Sequence, residues 1–484
     1  MAYCTHVRDG RGEKRTGFVS SGSLITTSTT TSRDAQAALA DASYQRALDG
    51  GLLLRWSTAN DVDGLARLCA EAFRDEEADP PNTYFGHWTE DLMSGRHPLA
   101  GPGDFALVED TASGEIVACA VLMRQTWEYD GIAIPVGRPE AVATKMAYRN
   151  RGLIRAIFEL LHARSDARGD LVSGITGIYY YYRQFGYEYA LDLGGSRRIA
   201  MNAIPLLADG ATEPYTLRPA TLDDLPHVMA LYDRDRARAL VSAVIDEPTW
   251  RWIIAGMHPE TDENWLTQLI LDSNQRVVGY VLTARARYGN TFTIRGLSID
   301  EGAAMTAVLP SVLRALAAQA PVMRAPHPRT QPVMMLSLGL GRAHPAYDAL
   351  SPSAPVLTLP PYAWYVRVAD LPAFVRHIAP ALERRLAGSI VTGYTGEVKL
   401  SFYRGGLRLV FESGRLTTAE AWTPGAWDAG NAAFPPLVFL QLLFGHHSLA
   451  ALQAIYPDIW VNDAVRPLLE TLFPERLSWA LPLD

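Results

Sequence analysis

Cysteine is scarce: Cys4, Cys69 and Cys119 are the only three in 484 residues, and no Cys-x-x-Cys pair occurs. An odd total without metal-type spacing argues against both a disulfide framework and a thiolate zinc site, so a reducing, cytoplasmic setting is expected. Positive charge is also short, with 44 Lys and Arg against 52 Asp and Glu and a net charge of −8. Nucleic acids and anionic membranes are bound through clustered positive charge, so no nucleic-acid partner is expected and a cationic substrate is better tolerated. No stretch reaches the roughly 18–20 consecutive apolar residues that span a bilayer, and the N-terminus has no apolar signal-like run, so membrane insertion is not expected. Phosphate-loop and nucleophile-elbow motifs are missing, and Gly339-Leu340-Gly341 lacks the third glycine of a dinucleotide fold. His446 and His447 are adjacent and would point about 100° apart on a helix, so no metal site is expected there or elsewhere.

What is present is an ordinary globular composition, 48% hydrophobic and 20% charged, in a chain long enough for two to four domains. Ten of the thirteen residues from Ser20 to Ser32 are Ser or Thr. Such a segment cannot bury enough apolar surface to order itself, and residues 1–49 are read as a flexible leader. From Leu52 a strand leads into a helix whose apolar positions are Val62, Leu65, Ala66 and Cys69. This opening recurs. Leu54-Arg55-Trp56-Ser57-Thr58 followed by Asp61 matches Leu217-Arg218-Pro219-Ala220-Thr221 followed by Asp224, 163 residues later. The hairpin pattern of Phe105 to Val121 has a counterpart in Leu269 to Val281, which makes a domain-length duplication the expected origin. After Leu359-Pro360-Pro361 the pattern changes: Val398 to Tyr403 and Leu407 to Phe411 flank Arg404-Gly405-Gly406 as a hairpin, and helical spacing follows from Leu437 to Phe444 and from Val465 to Leu472. The expected domains are therefore 50–198, 199–360 and 361–484.

The strongest chemical signal is Val142-Ala143-Thr144-Lys145-Met146-Ala147-Tyr148-Arg149-Asn150-Arg151-Gly152-Leu153-Ile154. An apolar strand runs into a basic, glycine-containing turn and then into a helix with Leu153, Ile157, Leu160 and Leu161 on one face. The unpaired N–H groups of that helix start, close backbone approach at Gly152, and the charges of Arg149 and Arg151 together suit a pyrophosphate, with no metal required. Tyr182-Arg183-Gln184-Phe185-Gly186-Tyr187 follows 33 residues after Arg149.

These two motifs resemble those of the GNAT superfamily of N-acetyltransferases, and the layout from Leu52 to Asp484 resembles the Eis family within it. The resemblance implies an α/β fold of two tandem GNAT-like domains with mixed sheets and a sterol-carrier-like α+β domain at the C-terminus. It implies acetyl-CoA as co-substrate, held by Val142, Ala143, Thr144, Arg149, Asn150, Arg151, Gly152, Leu153 and Ile154, where Ile154 departs from the usual small residue. It further implies Tyr182 as the acid that protonates the departing thiolate, a role open to a phenol with a reference pKa near 10. The terminal carboxylate, at Asp484, would help handle the amine proton, although an Asp end differs from the aromatic one usual in that family. The acceptor would be a primary amine of a small polyamine-like or aminoglycoside-like molecule, or a lysine, and the assembly a homo-oligomer, a hexamer by that resemblance. The second domain offers Asp300 and Glu301 where a coenzyme loop would lie, so it is expected not to bind the coenzyme. The acidic run Asp75, Glu76, Glu77 and Asp79 reads as a solvated helix end more readily than as a polyamine attractor. The competing function is a non-catalytic lipid- or ligand-binding protein that uses the sterol-carrier-like domain.

Overall fold

In the computed structural model, which describes residues 29–261, 265–287, 289–325, 331–352, 354–426 and 428–483, the sequence folds around three mixed sheets. Part of the expected leader is ordered. Residues 29–48 form helix α1 (Thr29–Ala40) and strand β1 (Gln45–Leu48), because buried side chains of the first domain claim their backbone. The Arg164 guanidinium donates twice to the Ala40 carbonyl, at 3.1 and 3.0 Å, and the Trp56 indole donates to the Leu39 carbonyl at 3.0 Å. These bonds satisfy carbonyls that a helix C-terminus leaves without partners. Residues 1–28, including Cys4, lie outside the described residues.

The first sheet continues through β2 (Leu52–Trp56), β3 (Phe105–Asp110), β4 (Glu115–Tyr129), β5 (Ile132–Thr144) and β6 (Val172–Ile175), paired in that order, with β7 (Glu188–Leu193) beyond them. Helices α2 (Val62–Ala72) and α3 (Thr83–Met93) cover one face through Leu65, Leu68, Trp88 and Leu92, while α4 (Leu153–Arg168) covers the other through Leu153, Ile157, Leu160 and Leu161. All pairs from β1 to β5 are antiparallel, but β5 and β6 run parallel and pair only at Val136↔Val172 and Gly137↔Ser173. Beyond Gly137 the two strands part, and that opening positions the site described below.

The second sheet has the order β15-β8-β14-β13-β12-β11-β9. It is built from β8 (Ser196–Ala200), β9 (Thr216–Pro219), β11 (Trp265–Leu271), β12 (Val277–Ala284), β13 (Thr291–Ile299), β14 (Met335–Leu338) and β15 (Val356–Leu359). Strand β10 (Val241–Val244) leaves it and pairs antiparallel with the far end of β4, from Val241↔Tyr129 to Val244↔Thr126. Its helices are α5 (Leu225–Arg236), α6 (Glu247–Arg251), α7 (Met305–Gln319) and the short α8 (Pro345–Asp348). The duplicated motif forms the same local structure twice. Arg55 grips Asp61 at 2.9 and 2.7 Å while Thr58 and Asp61 close a capping box, and Arg218 grips Asp224 at 2.7 and 2.8 Å while Thr221 and Asp224 close another. Each satisfies the free N–H groups at its helix start and fixes the angle between strand and helix. Among the described residues one segment, Met305–Val322, is long and apolar enough to cross a membrane, with a mean hydropathy of 1.2. Its Val308, Leu309, Val312, Leu313 and Leu316 are buried against the second sheet.

After β15 the chain returns to the first sheet. Strand β16 (Tyr362–Arg367) fills the gap between β6 and β7, antiparallel to both. Helices α9 (Leu371–His377) and α10 (Ala379–Ala387) then lead into a third sheet of order β19-β18-β17-β20-β21. Its strands are β17 (Gly396–Ser401), β18 (Gly406–Glu412), β19 (Arg415–Trp422), β20 (Ala432–Ala433) and β21 (Trp460–Val461). The helices α9, α10, α11 (Phe439–Leu443), α12 (Leu449–Ile455) and α13 (Arg466–Leu472) pack over Val398, Leu400, Leu407, Leu409 and Phe411, all fully buried. The β4–β5 turn plugs into this domain: Asp130 pairs with Arg385 at 2.9 Å and Arg476 at 2.6 Å, and the Tyr129 hydroxyl donates to the Leu443 carbonyl at 2.8 Å.

The last segment runs back again. Strand β22 (Ser478–Trp479) adds parallel to β10. The Trp364 indole then donates to the Ala480 carbonyl at 3.0 Å, and both Gln125 and Arg138 donate to the Leu483 carbonyl, at 2.9 and 2.5 Å.

Candidate active site

The site is the opening between β5 and β6. At one end the chain leaves β5 at Thr144, passes a single 3-10 turn at Met146–Tyr148 and reaches α4 at Leu153. Asn150 at φ 63° and Gly152 at φ 76° fold this turn back, and no side chain caps the N-terminus of α4. The first-turn N–H groups of a 16-residue helix are thus left without intrahelical partners, with the positive end of its dipole behind them. Arg149, Asn150, Arg151 and Gly152 are exposed, and the Arg151 guanidinium rests 4.8 Å over the Tyr148 ring. Lys145, by contrast, is committed to Glu71 and Glu115. The residues present fit a pyrophosphate: they offer main-chain donors, a turn free of acidic side chains and two flanking arginines that donate only to main-chain carbonyls, Arg149 to Thr144 and Arg151 to Ala147.

At the other end lies the turn Tyr181–Phe185, bounded by Tyr180 at φ 58° and Gly186 at φ 86°. The four consecutive tyrosines are separated by exposure, since Tyr179 and Tyr180 are 58% and 69% exposed while Tyr182 is 3% exposed. The Tyr182 ring packs against Phe158, Tyr181, Tyr187 and Tyr365. Among the described residues none hydrogen-bonds its hydroxyl. Burial, and then the charge of Glu140, pushes that hydroxyl well above the usual phenol range, so the group keeps its proton at neutral pH. Arg155 on the first turn of α4 donates to the Gln184 side chain at 3.0 Å, tying the two ends of the site together.

Between them β5 carries a bulge. Val121 faces Glu140 and Cys119 faces Ala143, which leaves Ala141 outside the ladder at φ 52°, fully buried. An alanine in left-handed backbone is strained, and such strain persists only where the surroundings impose it. Behind it Cys69 and Cys119 are free, with their sulfurs 3.9 Å apart in the core.

Of the residues singled out in the sequence, Val142, Ala143 and Thr144 end β5, Arg149, Asn150, Arg151 and Gly152 form the exposed turn, Leu153 and Ile154 begin α4, and Tyr182 stands on the turn after β6; Ala143 and Leu153 are buried in separate clusters. Asp484 lies outside the described residues; its neighbour Leu483 is buried beside Arg138, which also pairs with Glu140 at 2.6 Å. The acidic residues Asp75, Glu76 and Glu77 are exposed. Sequence reasoning missed Gln125, Arg138, Glu140, the Ala141 bulge and the tyrosines of β16. Alternation along β5 could have placed Arg138 and Glu140 on one face, but nothing local marks Ala141.

The parted parallel strand pair, the uncapped helix start and the buried tyrosine all lie within one stretch of the chain that matches a known family. Residues 54–190 match the family described as acetyltransferase (GNAT) domain. The fold of the whole chain is shared with several solved structures. A GCN5-related N-acetyltransferase from Kribbella flavida is similar at a TM-score of 0.58 and 20% identity over 90% of this chain and 98% of that one. Another from Anabaena variabilis gives 0.59 and 15% over 89% and 99%, and Eis1 from Mycobacterium abscessus gives 0.53 and 14% over 89% and 99%. No curated protein sequence matches the chain. Residues 54–190 are thus a GNAT acetyltransferase domain, and the three-sheet architecture around it is a fold shared with these solved N-acetyltransferases and with Eis1.

Proposed function

We propose that the chain transfers the acetyl group of acetyl-CoA to a primary amine of a small polyamine-like or aminoglycoside-like acceptor, or of a lysine. The observation that carries this reading is an uncapped helix N-terminus suited to pyrophosphate, tied through Arg155 and Gln184 to the turn that holds the buried Tyr182, whose hydroxyl has no partner among the described residues. The main-chain N–H groups of the α4 turn, with Arg149 and Arg151, hold the pyrophosphate, and the end of β5 aligns the thioester. The neutral amine attacks the thioester carbonyl, the C–N bond forms, and the C–S bond breaks as the thiolate leaves. Tyr182 gives that thiolate its proton, and the amine proton goes to a carboxylate. Asp484 is the candidate for that role, supported by the burial of Leu483 beside Arg138 and Gln125. The negative net charge suits a cationic acceptor. The remaining expectations are a reducing, cytoplasmic setting and a cyclic homo-oligomer, a hexamer by the Eis resemblance.

The test is Tyr182→Phe, which should lower kcat by about 10²–10⁴-fold while leaving acetyl-CoA binding within about twofold. Thiol release at saturating acetyl-CoA, measured with spermidine, kanamycin or a lysine peptide, whichever turns over fastest, reports kcat. Unchanged turnover would rule out Tyr182 as the acid.

A further inference from the structure

We propose that Tyr365, together with Tyr362 and Tyr189, is a positioning residue that holds the Tyr182 turn in its catalytic conformation. This rests on Tyr182 acting as the acid.

The segment that must be held is Gly177 to Tyr182, which crosses from β6 to the turn. Its backbone is unfavourable on its own: Gly177 sits at φ 122° and Tyr180, a bulky residue, at φ 58°. A non-glycine residue held there is strained and stays only where its neighbours force it. Ile178, Tyr179 and Tyr180 are largely exposed, so packing by their own side chains supplies little of that force. The force comes from three phenols on two adjacent strands. Tyr365 of β16 lies directly opposite Tyr189 of β7, next to a bulge at Ala190, and their rings stack at 4.1 Å.

Each hydroxyl has one proton to give, so three protons serve four short oxygen–oxygen contacts. Tyr365 donates to the Ile178 carbonyl at 3.0 Å, and Tyr362 donates to the Gly177 carbonyl at 3.0 Å. Tyr189 lies 2.6 Å from the Tyr365 hydroxyl and 3.0 Å from that of Tyr362, so it donates to one of them, and it accepts from the Tyr180 N–H at 3.0 Å. Three main-chain groups in four successive residues are thus fixed by one hydroxyl cluster. Linked hydroxyls polarise one another and so act together. The Tyr365 ring then touches the Tyr182 ring edge-on at 5.4 Å, which carries the positioning from the backbone to the acid itself. Two of the three phenols arrive on β16, from the part of the chain after the second domain, so the catalytic turn of the first domain is completed from outside its own sequence.

The experiment is a double-mutant cycle on the full-length protein, with Tyr365→Phe, Tyr182→Phe and the combination. Tyr365→Phe keeps the ring and removes one hydroxyl. It should lower kcat by about 10-fold, with the KM for acetyl-CoA and the melting temperature nearly unchanged, the value of roughly one hydrogen bond. In the Tyr182→Phe background the same change should have no further effect on kcat, because the acid it positions is gone. Tyr362→Phe serves as a second variant with the same expectation. If Tyr182→Phe is slow while Tyr365→Phe is fully active, or if the two losses multiply, the positioning role is overturned and the acid assignment stands. If Tyr182→Phe itself is fully active, the acid assignment falls, and the positioning role with it.

Discussion

Removing the Arg138 side chain should loosen the C-terminal segment by a measurable amount. Arg138 is 1% exposed, donates to the Leu483 carbonyl at 2.5 Å, pairs with Glu140 at 2.6 Å and lies 5.3 Å from the centre of the Trp364 ring. Arg138→Met keeps most of the apolar stem and removes the charged donor. A hydrogen bond from a charged group contributes about 1.5–3 kcal/mol. Because Gln125 still holds the same carbonyl, local opening of the tail should rise by the lower part of the corresponding range, about 10- to 40-fold. Hydrogen exchange followed by mass spectrometry on a peptide covering Trp479–Leu483 reads that opening directly when closing is faster than exchange. The ion pair adds a second effect: Glu140 is left without Arg138, and breaking a largely buried pair from one side costs about 3–5 kcal/mol. Arg138→Met with Glu140→Gln should therefore recover part of the global stability lost by Arg138→Met alone, while the tail stays loose. Exchange at the tail that changes by less than threefold in Arg138→Met would refute the idea that this guanidinium fastens it.

Two further outcomes follow from the same structure. Burial, with the nearby charge of Arg367 second, pushes His162 down to about 3, so it stays neutral in the folded protein while the unfolded chain protonates below about 6.5. Its contribution is fully present above pH 6.5 and is lost as pH falls toward 3, by up to about 1.4 kcal/mol per pH unit; His162→Gln should flatten denaturation midpoints between pH 6.5 and 5, and an unchanged slope would contradict this. Calorimetric titration with acetyl-CoA should saturate at one per chain, and Gly152→Val, which puts a β-branched residue at φ 76°, should weaken that binding; two sites per chain would overturn the inert reading of the second domain.

The parts of this structure that could be read in the sequence are those whose interactions close within a few residues. Arg55 and Asp61, like Arg218 and Asp224, pair six positions apart, so the repeated motif carries its own structure wherever it occurs. The same holds for the turn from Thr144 to Leu153, where a strand, a glycine and a helix start follow one another. The hidden parts depend on partners far along the chain. The alanine-rich run from Ala35 to Ala40 favours a helix that the Ser/Thr composition just before it obscures, and nothing local announces that its end binds Arg164. Val241 to Val244 reads as an ordinary strand, and only the exposed edge at the end of β4 decides that it joins the first sheet. Tyr362 and Tyr365 read as core aromatics until β16 is seen between β6 and β7.

That placement of β16 sets a schedule for synthesis. The ribosome delivers β6 about 190 residues before the strand that lies beside it, an interval of roughly 10–40 s at common elongation rates. Throughout that time the free edge of β6 faces solvent or a chaperone, and the Tyr182 turn has none of the hydroxyls of Tyr362 and Tyr365 to hold it. A nascent chain stalled before Tyr362 thus carries the whole Thr144–Leu153 turn but lacks these hydroxyls, and on the proposed mechanism full transfer activity should appear only after the last quarter of the protein has been made.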